Sequence, residues 1–157
     1  MKIKLIVIGK TSVNYLKDGE YEYFQRLKHY VRFEETIIPD LKNAKNLKQI
    51  DLKEKEGKLI LSKIDNSDEV VLLDDKGKMF SSIDFSSYLS EKMIRSTKSM
   101  VFVIGGAFGF SDAVYQRANT KLSLSKMTFS HQMVRLIFKE QLYRAFTILK
   151  GEKYHHE

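Results

Sequence analysis

The sequence lacks cysteine and tryptophan and contains a single proline. The absence of cysteine excludes a disulfide framework, a thiolate nucleophile and a cysteine-ligated zinc or iron–sulfur site. No apolar stretch approaches the ~18 residues that a membrane-spanning helix needs. The uncharged apolar run Leu5–Ile8 is too short for the core of a secretory signal. The sequence therefore predicts a cytoplasmic protein with no membrane partner.

Two further absences narrow the chemistry. The four histidines form no H-E-x-x-H motif and no cluster with carboxylates, so we expect no bound metal; they are His29, His131, His155 and His156. No serine lies in a G-x-S-x-G elbow, so nothing in the sequence indicates a serine hydrolase.

What the chain contains is typical of one folded domain. It has 157 residues, of which 43% are hydrophobic, and this length predicts a single domain, 1–157, with one core. The 27 lysines and arginines exceed the 20 aspartates and glutamates, which gives a formal net charge of +7. Such a surplus is compatible with a polyanionic partner but does not identify one.

Apolar runs and helical patterns alternate along the chain. This alternation predicts an α/β fold with a largely parallel sheet. The predicted strands are Ile3–Ile8, Arg32–Ile38, Glu69–Asp74, Met100–Ile104 and Leu122–Leu124. The predicted helices cover 13–30, 52–64, the surroundings of 85–93, 111–118 and 131–150. The polar segment 75–78 is predicted to be a turn.

The last predicted helix is apolar around most of its circumference between Met133 and Leu149. A helix of this kind is buried on two sides. Two interpretations fit equally well: one side forms a subunit interface, or the helix lies in the centre of the core.

Glycines follow two of the predicted strands. Gly9-Lys10-Thr11 resembles the tail of a phosphate-binding P-loop, but Lys4 stands where that motif needs a glycine, so Gly9 is interpreted as a strand end. Gly105-Gly106-Ala107-Phe108-Gly109 follows the fourth strand. Ligands of open α/β sheets bind at this edge, where glycines let them approach the backbone. A purely structural tight turn is the alternative.

The positive charge is concentrated near the C-terminus. From Lys121 to Glu157 there are seven lysines and arginines against three glutamates, so more than half of the net charge lies in these residues. This distribution is typical of contact with a phosphate backbone. An ordinary solvated helix face is the alternative, and the i,i+4 pair Glu140–Arg144 suits it.

Individual residues and their spacing indicate the function more specifically than composition does. The chain contains four segments in a fixed order: Phe102-Val-Ile-Gly-Gly-x-x-Gly, Leu122-Ser-Leu-Ser-Lys-Met-Thr-Phe-Ser-His-Gln-Met-Val-Arg, Glu140-Gln-Leu-Tyr-Arg-Ala and Tyr154-His155. The N-terminal M-K-I-x-L-I-x-I-G-K and Lys55-Glu-Gly accompany them. In this order and spacing the chain resembles the RlmH (YbeA-type) family of SPOUT methyltransferases, over essentially its whole length.

The resemblance implies a fold, a cofactor and a substrate. It implies a SPOUT-type α/β parallel sheet with a C-terminal deep trefoil knot, in which residues from about 70 to 157 bind the cofactor and dimerise. The implied cofactor is S-adenosylmethionine, and the implied assembly is a homodimer. The implied reaction is methylation of N3 of a pseudouridine in 23S rRNA, within the assembled ribosome.

The resemblance also assigns site residues. The cofactor positions fall on Leu73, Gly105, Leu124, Ser125, Lys126, Met127, Thr128 and Phe129. The catalytic and substrate positions fall on Arg144, Tyr154 and His155, and this tail is expected to act near the cofactor of the partner subunit. His155 as the acceptor of the N3 proton is a hypothesis. Because there is no cysteine, transfer to a pyrimidine carbon through a cysteine adduct is excluded.

Two residues depart from the family pattern. Ser130 stands where the family usually has proline, and since serine is a good N-cap the last helix can still begin there, in a less rigid loop. His156 stands where arginine or lysine is common, which predicts a weaker phosphate contact. Two other functions remain open: a non-catalytic RNA- or ribosome-binding protein on a SPOUT-like fold, and a small basic scaffold protein.

Overall fold

The computed structural model describes residues 1–156, so Glu157, which is counted in the C-terminal charge, lies outside the described residues. The strands are β1 (Lys2–Ile8), β2 (Arg32–Ile38), β3 (Glu69–Met79), β4 (Ser99–Ile104) and β5 (Thr120–Ser123). The helices are α1 (Asn14–Leu27), α2 (Gln49–Leu61), α3 (Ser82–Ile94), α4 (Asp112–Arg117) and α5 (Met133–Leu149). The strands pair in the order β2-β1-β4-β3-β5 and all pairs are parallel, which confirms the predicted α/β class.

Helices cover both faces of the sheet. In β4, Met100 and Phe102 face a layer formed by α1, α3 and α5, whereas Val101 and Val103 face a layer formed by α2 and α4. All six residues of β4 are buried. The sequence of a parallel strand that is buried on both faces is a continuous apolar run. For this reason β4 could be predicted from the sequence.

Helix α5 lies between α1 and α3. Its residues Phe138, Leu142 and Ala145 are fully buried in the core. One side of α5 therefore belongs to the core, while Ile137, Ile148 and Leu149 are only partly buried within one chain, so both interpretations of this helix remain open. None of the helices in residues 1–156 is both long enough and apolar enough to span a membrane.

The turn predicted at 75–78 is wrong, because β3 continues to Met79. Leu122 of β5 pairs with both Leu73 and Lys78, so the residues between these two leave the ladder and return to it. A Cβ at Gly77 would lie 2.6 Å from the carbonyl carbon of Leu122. The polar, glycine-containing segment carries a local turn signal, but its pairing with the distant β5 decides its structure.

Candidate functional site

A cavity of about 650 Å³ opens at the carboxyl ends of β4 and β5 and beside the irregular segment of β3. Its walls come from the middle of β3, from the ends of β4 and β5 and the segments that follow them, and from Val134 at the start of α5. The volume is in the range of small-molecule sites, and the position is the edge at which parallel α/β sheets bind ligands. Within residues 1–156 no group of three or more histidines and carboxylates is placed to hold a metal ion.

Seven of the eight cofactor positions implied by the resemblance line this cavity. They are Leu73, Gly105, Leu124, Ser125, Met127, Thr128 and Phe129. Lys126 does not line the cavity, although it lies in the same loop with its side chain exposed. One concave surface thus collects residues that are up to 56 positions apart in the sequence.

Serine hydroxyls hold the loop between β5 and α5 in shape. The Ser123 hydroxyl donates to the carbonyl oxygen of Ser125 (2.9 Å), and the Ser125 hydroxyl accepts from the amide of Met127 (2.9 Å). The Ser130 hydroxyl accepts from the amide of Met133 (3.1 Å), the first residue of α5. Gln132 occupies the N-cap position of α5 and makes no side-chain cap, but Ser130 still supplies an acceptor for an amide of the first turn, so the helix can begin without the proline.

The glycine loop has no room for side chains behind its backbone. A Cβ at Gly105 would lie 2.9 Å from the Phe110 ring, and one at Gly106 would lie 2.7 Å from the Glu56 carboxylate. The amide of Gly109 donates to the carbonyl oxygen of Gly106 (3.2 Å), which closes a tight turn. The turn interpretation and the ligand interpretation are therefore compatible, because the turn itself forms a cavity wall.

The sequence prediction missed a carboxylate at the cavity. Asp74 accepts hydrogen bonds from the Tyr115 hydroxyl and from the amide of Lys76 (2.8 Å). Burial alone would raise the pKa of Asp74, but these hydrogen bonds outweigh it and lower that pKa. Burial and the contact with Asp74 raise the pKa of Tyr115 to about 12. An ionised carboxylate at the rim favours a cationic ligand.

The three predicted catalytic residues lie together in what we call the tail cluster, formed by Tyr23, Glu140, Arg144, Tyr154 and His155. The Arg144 guanidinium lies 4.7 Å from the centroid of the Tyr154 ring, and its Nη1 is 3.4 Å from His155 Nδ1. Since a guanidinium only donates, Nδ1 accepts in this contact, and the proton of the neutral ring is assigned to Nε2. The Tyr23 and Tyr154 hydroxyls are 3.1 Å apart.

Glu140 joins the tail cluster to α5. Its Oε1 accepts from Arg144 Nε (3.0 Å) and from the Tyr154 hydroxyl (3.1 Å). The Arg144 and Glu140 side chains are 24% and 20% exposed, so this i,i+4 pair is partly buried and does not lie on a fully solvated face. The hydrogen bond that Arg144 donates to Glu140 raises the pKa of Arg144, and burial followed by the Tyr23 contact raises the pKa of Tyr154.

The cavity and the tail cluster are apart within one chain. Val134 lines the cavity, and Arg144 lies ten residues further along the same helix. At a rise of 1.5 Å per residue this separation is about 15 Å along the axis. Neither Arg144, Tyr154 nor His155 lines the cavity.

Comparisons with known proteins agree over the full chain. A family model described as "Predicted SPOUT methyltransferase" matches residues 1–155. A protein of Parabacteroides distasonis named ribosomal RNA large subunit methyltransferase H is 59% identical over 157 residues, with all of both chains covered. A protein of Christiangramia forsetii with the same name is 60% identical over 156 residues, with 99% of each chain covered.

A solved structure is similar in fold. It is a probable methylase family protein from Haemophilus influenzae, with a TM-score of 0.53 and 13% identity. The match covers 99% of this chain and 70% of the other.

Proposed function

The chain belongs to the SPOUT methyltransferase family, and from this premise we propose that it transfers a methyl group from S-adenosylmethionine to N3 of a pseudouridine in 23S rRNA. The resemblance to SPOUT methyltransferases stated from the sequence is confirmed. The proposed substrate is the assembled ribosome in the cytoplasm. An 18.3 kDa chain has little surface for reading a long RNA by itself.

The observation that carries the proposal is the cavity at the carboxyl edge of the sheet. It gathers seven of the eight expected cofactor positions on one surface. The glycine loop presents bare backbone there, because a Cβ at Gly105 or Gly106 would meet other atoms below 3.0 Å. The ionised Asp74 at the rim suits the positive charge of S-adenosylmethionine. These residues fit the cofactor.

The tail cluster supplies the groups that the nitrogen acceptor requires. S-adenosylmethionine, when bound, supplies an electrophilic methyl carbon. N3 of a pseudouridine carries a proton that must leave before the nitrogen can act as a nucleophile. Arg144 would stabilise the resulting anion, and Glu140 holds the Arg144 side chain in position. His155 would accept the proton at Nδ1, the nitrogen that Arg144 contacts in the free chain.

A homodimer would bring the tail cluster to the cavity. Within one chain the two are about 15 Å apart along α5, so a second subunit must supply the tail if both take part in one site. Phe108 and Met127 are exposed large apolar residues at the cavity. Exposed apolar residues beside a site are typical of surfaces that a partner covers.

A trefoil knot in the C-terminal part is also proposed. Its support is the close passage of β5 beside the irregular segment of β3, where Leu122 pairs with residues on both sides of that segment. Only a glycine at position 77 allows this approach of the two backbones.

The direct test is methyl transfer from labelled S-adenosylmethionine to purified ribosomes, followed by mass mapping of 23S rRNA. We expect one methyl group on N3 of one pseudouridine, with intact ribosomes modified far more efficiently than naked rRNA. Efficient modification of naked rRNA would contradict the requirement for a ribosome. No binding of the cofactor at millimolar concentration in calorimetry would favour the non-catalytic RNA-binding function.

Mixed dimers are expected to separate a shared site from a site within one chain. Gly105→Val places its side chain against the Phe110 ring and so distorts the glycine loop of the cavity. Arg144→Ala removes the central group of the tail cluster, so each homodimer should be inactive. After 1:1 subunit exchange half of the dimers are mixed, and each has one intact composite site, so activity should return to about one quarter of the wild-type value. Activity that stays at zero after confirmed exchange would contradict the proposed arrangement.

His155→Ala is expected to slow methyl transfer by about 10²-fold or more, because a positioned general base typically contributes this much. The pH profile of the variant should also differ from that of the wild type. His29→Ala is the matched control, since His29 is exposed and belongs neither to the cavity nor to the tail cluster. Near-normal turnover with an unchanged pH profile in His155→Ala would eliminate His155 as the base.

A further inference from the structure

A second cavity, of about 410 Å³, lies beside the edge strand β2. We call it the β2 groove. Tyr21 and Phe24 of α1 and Ile37 of β2 form its walls, and Lys10 and Lys17 lie at its rim. The catalytic scheme above uses none of these residues.

The charged groups at the floor of the β2 groove neutralise one another. Lys139 Nζ is 2.7 Å from Glu20 Oε2 and 2.9 Å from Glu35 Oε1. Arg135 donates to the carbonyl oxygen of Gly9 (2.8 Å) at the end of β1. With two cations and two carboxylates, the floor has no net charge and is occupied by internal contacts.

The walls and the rim have a different character. Tyr21 is 67% exposed, and Ile37 is also exposed, so an aromatic and apolar surface faces the solvent. Lys10 and Lys17 are exposed, and neither lies within salt-bridge distance of a carboxylate in residues 1–156. The groove thus combines an aromatic platform with two uncompensated positive charges.

This combination matches a nucleotide. Aromatic side chains stack on bases of any sequence, and lysines contact the phosphates of a single strand. A second copy of the chain is a poorer occupant, because its net charge of +7 would face the positive rim.

The position of the β2 groove agrees with the position of the cofactor cavity. Both lie at the carboxyl edge of the same parallel sheet, and β1 is the direct neighbour of β4. Neighbouring strands are about 4.8 Å apart. β1, which leads into the groove residue Lys10, therefore lies roughly 10 Å from β3, which borders the cofactor cavity. The amide of Ser12 donates to Gln132 Oε1 (3.0 Å), so the loop after β1 contacts the segment next to the cavity-lining His131.

We propose that the β2 groove binds an unpaired nucleotide of the ribosomal RNA near the methylated base, which rests on the proposed function. The base stacks on Tyr21, and Lys10 and Lys17 contact the adjoining phosphates. Lys10 does not belong to a P-loop, but in this proposal it contacts a phosphate of the RNA.

The first test is steady-state methyl transfer with intact large ribosomal subunits. Tyr21→Ala is expected to raise KM for the subunits about tenfold, with kcat and cofactor affinity unchanged. Tyr21→Phe should behave as wild type, because the ring is retained. Tyr15→Ala is the matched control, since Tyr15 is 68% exposed on the same helix but outside the groove. Unchanged KM in Tyr21→Ala overturns the proposal.

The second test compares the salt dependence of KM in a groove variant and in a control variant on the opposite face of the sheet. The double variant Lys10→Ala/Lys17→Ala should lower the slope of log KM against log salt concentration by about 1.4, since each lost phosphate contact removes about 0.7 for a single strand. Lys58→Ala, an exposed lysine on α2 at the opposite face of the sheet, is the control and should leave the slope unchanged.

The third test does not depend on methylation. A photoreactive amino acid at position 21 should cross-link to 23S rRNA when the protein is irradiated with large subunits. Cross-links to a ribosomal protein or to a second copy of the chain would overturn the proposal. If the wild type transfers no methyl group, the proposed function fails, and the cross-link still decides whether the groove contacts RNA.

Discussion

Replacing Lys139 with methionine is expected to lower the free energy of unfolding by about 3–5 kcal/mol. The Lys139 side chain is 1% exposed and lies between the carboxylates of Glu20 and Glu35. Methionine fills a similar volume but leaves Arg135 as the only nearby cation for the Glu20 and Glu35 carboxylates, and a buried charge that loses its direct ion-pair partner is costly. For a chain of this length the melting temperature should fall by roughly 6–20 °C.

Lys2→Met is the matched control for this prediction. Lys2 contacts Glu34, the neighbour of Glu35 in β2, but at 3.7 Å and on the surface. Removing a surface pair of this kind should change stability by less than about 1 kcal/mol. Adding Glu20→Gln to Lys139→Met should recover part of the loss, since the two residues interact directly. Equal losses in Lys139→Met and Lys2→Met would contradict the buried ion cluster.

Gly77→Ala is expected to lower stability by about 3 kcal/mol and to weaken cofactor binding in the same variant. The new Cβ would lie 2.6–2.7 Å from backbone atoms of Leu122 and Lys121, and a backbone cannot move aside as a side chain does. β5 must therefore shift, and Leu122 and Leu124 at the cavity shift with it. Denaturant unfolding and calorimetric titration of the cofactor measure the two effects.

The same substitution at Gly19 provides the comparison. A Cβ there would lie 3.0 Å from the two terminal methyl groups of Leu136, which can rotate. Alanine is also about 1 kcal/mol better than glycine inside a helix, so Gly19→Ala should be close to neutral. If Gly77→Ala and Gly19→Ala have equal stability, the close approach of β3 and β5 is wrong.

The ends of strands were predicted well from the sequence where a glycine or a proline follows the strand. Gly9 and Pro39 directly follow β1 and β2, and the strand ends agree with the structure to within a residue. β3 was predicted too short, because its last residues are polar and form a strand only through pairing with β5. No signal in a single sequence encodes that pairing.

The candidate site was likewise predicted only in part from the sequence. The glycine loop alone left a tight turn and a ligand site both open, and only the resemblance pointed to the segment 124–129. The cofactor residues it implied, apart from Lys126, converge on one cavity. Asp74 was missed, since its contact with Tyr115, 41 positions away, depends on the fold. Glu140 was recognised only as the i,i+4 partner of Arg144, because its contact with Tyr154 also depends on the fold.

By itself the sequence determined the alternation of strands and helices and the membership in a methyltransferase family. Apolar runs and glycines act locally, so their effects can be seen without the fold. The tertiary structure alone decided which charges are buried. Lys139 looks like any solvated lysine in the sequence, yet it is buried because Glu20 and Glu35, 119 and 104 positions away, neutralise it. A buried charge is stable only with such partners, and the fold brings them together.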